Sequence, residues 1–173
     1  MSFEKTASRL WKKLNREERL AAAQAFVAQP PQEMLGSALG VIVKARRIRP
    51  QVARSLPAEE QTRTLAAVLD PGEALAAALL VALHLGPRRE MLARFLDAAG
   101  LEHEDGILKD EAATPPRLQI DAARAGVAAL LAVHPRPQVE TYLNTLWLQD
   151  PERWSVLSDT DLWPAGPAGA GSI

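Results

Sequence analysis

One spacing, which occurs three times, constrains this chain more than any other feature. It reads Ala-x-x-x-Ala, then a proline, then a glutamate, then a leucine, always at the same intervals. The copies are Ala21, Ala25, Pro30, Glu33 and Leu39; Ala78, Ala82, Pro87, Glu90 and Leu96; and Ala128, Ala132, Pro137, Glu140 and Leu146. Alanines four apart lie on one face of a helix, and proline breaks a helix from within. Each copy therefore predicts a helix, a proline-marked corner and a second helix. Residues 78–96 and 128–146 align without a gap and agree at seven of nineteen positions, His84 with His134 among them. Four of the seven are Ala or Leu, which two alanine-rich helices share by chance. A true structural repeat and three ordinary corners fit the spacing equally well.

Composition decides the fold class. Only three Phe, one Tyr and four Trp accompany a large alanine and aliphatic content. Alanine and leucine are strong helix formers, β-branched runs are scarce, and no strand is expected. The expectation is an all-α chain of eight to ten helices with short connections. Such connections place consecutive helices antiparallel, as stacked hairpins or as a compact multi-helix bundle. A repeat of 50–57 residues is slightly longer than hairpin repeats of the HEAT and armadillo kind, and the chain resembles that class of architecture alone. One helical domain is expected over residues 1–163, followed by a flexible Pro/Gly/Ala tail at 164–173.

Local signals place the helices. Phe3, Ala7, Leu10, Trp11 and Leu14 form a first apolar stripe. Asn15 and Glu18 make a capping box that opens a second helix, with Leu20, Ala23 and Val27 on its inward face and Ala22 and Phe26 beside it. Gly36 and Gly40, four apart on the third helix, predict the close approach of a neighbour. Asp70-Pro71-Gly72-Glu73 reads as a helix start with Asp70 as the cap. The helix it opens is apolar nearly all round from Ala74 to Leu85 and should lie centrally. Residues 101–116 are expected to form an irregular acidic loop.

Several functions are excluded or disfavoured. With no cysteine the chain has no disulfide, thiolate metal site or cysteine nucleophile. The charged segment from Met1 to Leu14 is no signal peptide, and the twelve apolar residues from 74 to 85 are too few to span a bilayer. A cytoplasmic protein without membrane contact is expected. A net charge of −1 argues against bulk nucleic-acid binding. No phosphate-cradling glycine loop, G-x-S-x-G or H-E-x-x-H motif is present. Glu102, His103, Glu104 and Asp105 are metal-type ligands, but neighbours in an extended loop point apart, so neither a metal site nor a cofactor is expected.

Three candidate sites remain. Lys44, Arg46, Arg47, Arg49 and Arg54 lie in a stretch, Met34 to Ala58, that holds no acidic residue. Cations at a helix C-terminus also answer the helix dipole, but an anionic partner is the functional reading. On it the chain is a non-enzymatic helical scaffold that binds another macromolecule, preferably a protein; self-association is a further option. The alternative is a small-ligand or catalytic pocket using His84 and His134, both of which end an apolar helix. Third comes a DNA-binding helix-turn-helix at 50–69, opposed by Glu59 and Glu60 at the start of its recognition helix.

Overall fold

In the computed structural model the protein is described over residues 4–109, 117–158 and 162; the tail at 164–173 lies outside them. It is an all-α, multi-helix protein, with nine α-helices among the described residues. These gather into two compact units that divide at residues 89 and 90.

The first unit, Glu4–Arg89, holds α1 (Ala7–Lys13), α2 (Arg16–Ala28), α3 (Leu35–Arg46), α4 (Pro50–Arg54), α5 (Ala58–Ala67) and α6 (Glu73–Leu85). The capping box forms as the sequence indicates: Asn15 Oδ1 accepts from the Glu18 amide and the Glu18 carboxylate accepts from the Asn15 amide. Pro30 does mark a corner, between α2 and α3. However, α2 packs chiefly on α5 and α6 rather than on α3, its neighbour in sequence. This unit therefore follows the bundle arrangement rather than that of a stacked hairpin. The buried face of α2 is Ala22, Ala23 and Phe26, with Leu20 turned outward at 41% exposure. The small methyls of the two alanines allow two helices to approach that face.

The start of α6 departs from the expected Asp70 cap. The N-cap of α6 is Gly72, at φ 90, a backbone conformation open to glycine and strained for other residues. Asp70 pairs instead with Lys12 at 3.0 Å. The Glu73 carboxylate reaches the first turn of α1, where it accepts from the Ala7 amide at 2.5 Å and the Ser8 amide at 3.1 Å. One carboxylate thus serves the positive ends of two helices. The far end of α5 is treated in a complementary way. Trp11, fully buried, donates from Nε1 to the Val68 carbonyl at 2.9 Å, and Arg19 Nε donates to the Ala66 carbonyl at 3.0 Å. These side chains supply donors for carbonyls that a helix end leaves unpaired.

Gly36 and Gly40 do not admit a neighbour. A methyl built on either meets open space, so the face of α3 that carries them is solvent-facing. The inward residues of α3 are Ala38 and Ile42.

The second unit comprises α7 (Arg89–Ala98, from Glu90 onward), α8 (Ile120–Leu131), α9 (Arg136–Gln149) and a 3-10 turn at Ser155–Ser158. Phe95 lies at its core, edge-on to Tyr142 with ring centroids 5.7 Å apart and tilted against Trp154. Gly126 makes this possible, because a Cβ there would stand 2.5 Å from the Phe95 ring. Pro137 sits in the first turn of α9, where its missing N–H costs nothing.

The segment expected to be an irregular loop contains a minimal antiparallel pair, β1 (His103–Glu104) with β2 (Ile107–Leu108). Asp105 and Gly106 turn between them at φ 53 and 84. Both angles are positive, as a two-residue type I′ hairpin requires. His103 closes the turn: its Nδ1 accepts from the Gly106 amide at 3.1 Å, so the ring proton sits on Nε2, 3.0 Å from the Asp97 carboxylate.

Two substitutions test these contacts. Gly126→Ala should destabilise the protein by about 1–3 kcal/mol in denaturant unfolding, because the overlap with Phe95 outweighs alanine's helix preference of about 1 kcal/mol. Glu73→Ala should cost about 0.5–2 kcal/mol, the range for removing an N-terminal cap. Midpoints unchanged from wild type would show that neither contact holds in solution.

Candidate functional site

The basic stretch runs over the end of α3, the connection and α4, and its five cations meet different fates. Arg46 Nη1 reaches Glu60 on α5 at 2.5 Å. That pair borders an open cleft of about 570 Å³ shared with Arg63 and Thr64. Exposed ion pairs of this kind contribute about 0–1 kcal/mol, yet the pairing takes Arg46 out of the uncompensated set. Lys44 acts more remotely. Asp70 is held below the usual carboxylate range first by its hydrogen bond and ion pair with Lys12, and only slightly by Lys44.

Arg47, Arg49 and Arg54 are exposed, and among the described residues none of them has a carboxylate partner. Arg47 occupies the left-handed position that ends α3, at φ 55 and ψ 42. The Ile48 amide returns to the Val43 carbonyl at 3.3 Å, which closes the helix in the manner of a Schellman motif. Glycine is the usual residue there, and a residue with a Cβ is strained by about 1–2 kcal/mol. Arg49 is extended and precedes Pro50, the first residue of α4.

Arg54, the last residue of α4, opens onto a second cavity of about 190 Å³ between α2, α3 and α5. The walls include Phe26, Leu39, Ile42 and Leu65. Nothing local in the sequence signals this cavity, because its walls come from four separate elements.

The two histidines differ from the sequence pairing. His84 lies in the first unit and is buried at 3% exposure; His134 lies in the second unit and is half-buried. Burial pushes the His84 imidazole down to about 3, and the nearby Arg88 cation pushes in the same direction. Arg88 is itself bound to Glu18 at 2.5 Å, both side chains being largely covered. His84 is therefore neutral at pH 7, and neither histidine lines the cleft or the cavity described above. His134 Nε2 is buried without a hydrogen-bond partner among the described residues.

The segment read as a helix-turn-helix, residues 50–69, contains α4 and α5. Thr62, Leu65 and Ala66 of the second helix are buried. Its first turn carries Glu59, paired with Arg63, and Glu60, paired with Arg46. Among the described residues no group of three or more His, Cys, Asp or Glu is placed to hold a metal ion. None of their helices is long and apolar enough to cross a membrane.

No protein family matches the chain, and no curated protein or solved structure matches it either.

The depressed histidine sets a pH dependence. Below pH 6.5 the unfolded chain takes up a proton at His84 that the folded chain refuses until pH falls to about 3. Stability contributed by this site is complete above pH 6.5 and falls as the solution is acidified, by up to about 1.4 kcal/mol per pH unit. His84→Gln should remove that slope between pH 6 and 4 in denaturant melts. Equal slopes for variant and wild type would mean that the imidazole is hydrated and free to titrate.

Proposed function

We propose that this protein is a non-enzymatic helical binding module whose exposed ridge of Arg47, Arg49 and Arg54 engages an acidic protein surface. The observation that carries this reading is the set of three exposed arginines without carboxylate partners, in a stretch with no acid from Met34 to Ala58. Arg47 adds to it. The side chain is kept at a backbone position where glycine would relieve strain, and beyond the dipole of the helix it ends it has no carboxylate partner among the described residues. Residues held in unfavourable backbone regions cluster where function requires the side chain.

An acidic protein is favoured over nucleic acid on electrostatic grounds. A duplex read by the second helix of the α4–α5 pair would set its phosphates against Glu59 and Glu60 in the α5 first turn, whereas a protein can dock on the ridge without using that turn. Cytoplasmic location and a scaffold role belong to this same reading. Pocket chemistry using His84 or His134 finds less support, because the first is buried and neutral and neither borders the cavities described.

Two measurements test the ridge. Poly-L-glutamate should bind the wild-type protein in a salt-dependent way at 50 mM salt, on the order of tenfold more tightly than it binds Arg47→Glu/Arg49→Glu/Arg54→Glu. Equal binding by the two would remove the ridge from the function. Arg47→Gly should raise stability by about 0.5–1 kcal/mol, the relief of left-handed strain less the entropy glycine adds to the unfolded chain, while it weakens the same binding.

A further inference from the structure

Arg54 belongs to two surfaces. It ends the uncompensated basic stretch, and it is also the single charged residue lining the cavity between α2, α3 and α5. The other polar liner, Gln61, already donates from its side-chain amide to the Leu56 carbonyl at 2.9 Å. Hydrocarbon makes up the remaining walls, with Phe26, Ile42 and Leu65 buried at the bottom and Leu35 exposed at the rim. An arginine bordering an apolar hollow can offer a planar pair of N–H donors to a carboxylate and a dry seat to whatever that carboxylate is attached to.

Size narrows the occupant. A volume of about 190 Å³ is below the roughly 300 Å³ at which pockets for drug-sized ligands begin. Nucleotides and ring cofactors are too large, and a single side chain of the leucine or isoleucine class is of the right order. The surface also continues. Val27 borders both this cavity and a second hollow between α2 and α5, which Leu20, Ala28 and Ala58 help to line. A polypeptide needs such continuation beyond one anchored group, whereas a free short-chain acid has no use for it.

The geometry points to this cavity as the anchor site for an acidic polypeptide segment: one aliphatic side chain fills it, and an Asp or Glu of the same segment pairs with Arg54. The inference rests on the ridge reading above and adds the feature that the ridge recognises. Charge draws the segment in, and the hollow selects which residue settles there.

Methyl NMR on the full chain, titrated with synthetic peptides, tests it. The probes are a nine-residue acidic peptide with a central leucine flanked by Asp and Glu, the same peptide with central alanine, and the leucine peptide with Asn and Gln flanks. The acidic leucine peptide should shift the Leu39 and Ile42 methyls and bind about tenfold more tightly than the alanine peptide. Arg54→Gln should weaken the acidic leucine peptide several-fold and leave the Asn/Gln peptide unaffected. Leu39→Trp, which fills the hollow from its own wall, should erase the preference for leucine while keeping the spectrum of a folded protein.

Equal binding of the leucine and alanine peptides, still lost on reversal of Arg47 and Arg49, would overturn the anchor site and leave the ridge standing. Failure of every acidic peptide to bind would overturn both. Free 4-methylpentanoate binding as tightly as the leucine peptide would replace the polypeptide by a small acid as occupant.

Discussion

Much of the first unit depends on how closely α2 can be approached. Ala22 and Ala23, both fully buried, present only methyl groups to the helices that cross them, so α5 and α6 pack there with little between the backbones. Phe26, on the same buried face of α2, is also a wall of the apolar hollow beside Arg54, as are Gln61 and Leu65 of α5. A larger residue at position 22 or 23 would push α5 away and change the shape of the hollow without touching any of its walls. Side-chain volume on a buried helix face is therefore linked to the geometry of an exposed surface.

Electrostatics are arranged around the same frame. Glu73 answers the first turn of α1, Glu18 caps its own helix and holds Arg88, and Glu60 engages Arg46. Each carboxylate has a structural task that reaches across elements. Arg47, Arg49 and Arg54 have no carboxylate partner among the described residues, and this division is the reason for assigning them to a partner. The desolvated, neutral His84 fits a structural role as well, lying beside a cation that is itself neutralised by Glu18.

Local features were legible in the sequence and non-local ones were not. The Asn15–Glu18 box and the prolines at 30, 87 and 137 announce helix ends through chemistry within a few residues, and each falls between consecutive helices or in the first turn of one. Asp70-Pro71-Gly72-Glu73 misleads because two starts satisfy the same letters. What selects Gly72 is the reach of Glu73 to α1, some sixty-five residues away in sequence. Asp105-Gly106 was a readable hairpin signal, obscured by the acidic residues around it. Five cations stand in the acid-free stretch, but the pairing of Arg46 needs Glu60 from another helix. The hollow beside Arg54 needs walls from four elements, and no periodicity within one of them carries that information.

The solvent-facing glycines of α3 have a mechanical consequence. Gly36 and Gly40 each cost a helix about 1 kcal/mol relative to alanine, and here no neighbour packs against them to recover it. The helix that carries Leu39, Ile42 and the arginine-bearing end is therefore weakened by its own backbone preferences. Its amides are placed to open and reclose more readily than those of α2 or α6. The wall of the hollow that α3 supplies is correspondingly compliant, able to adjust to side chains of somewhat different shape.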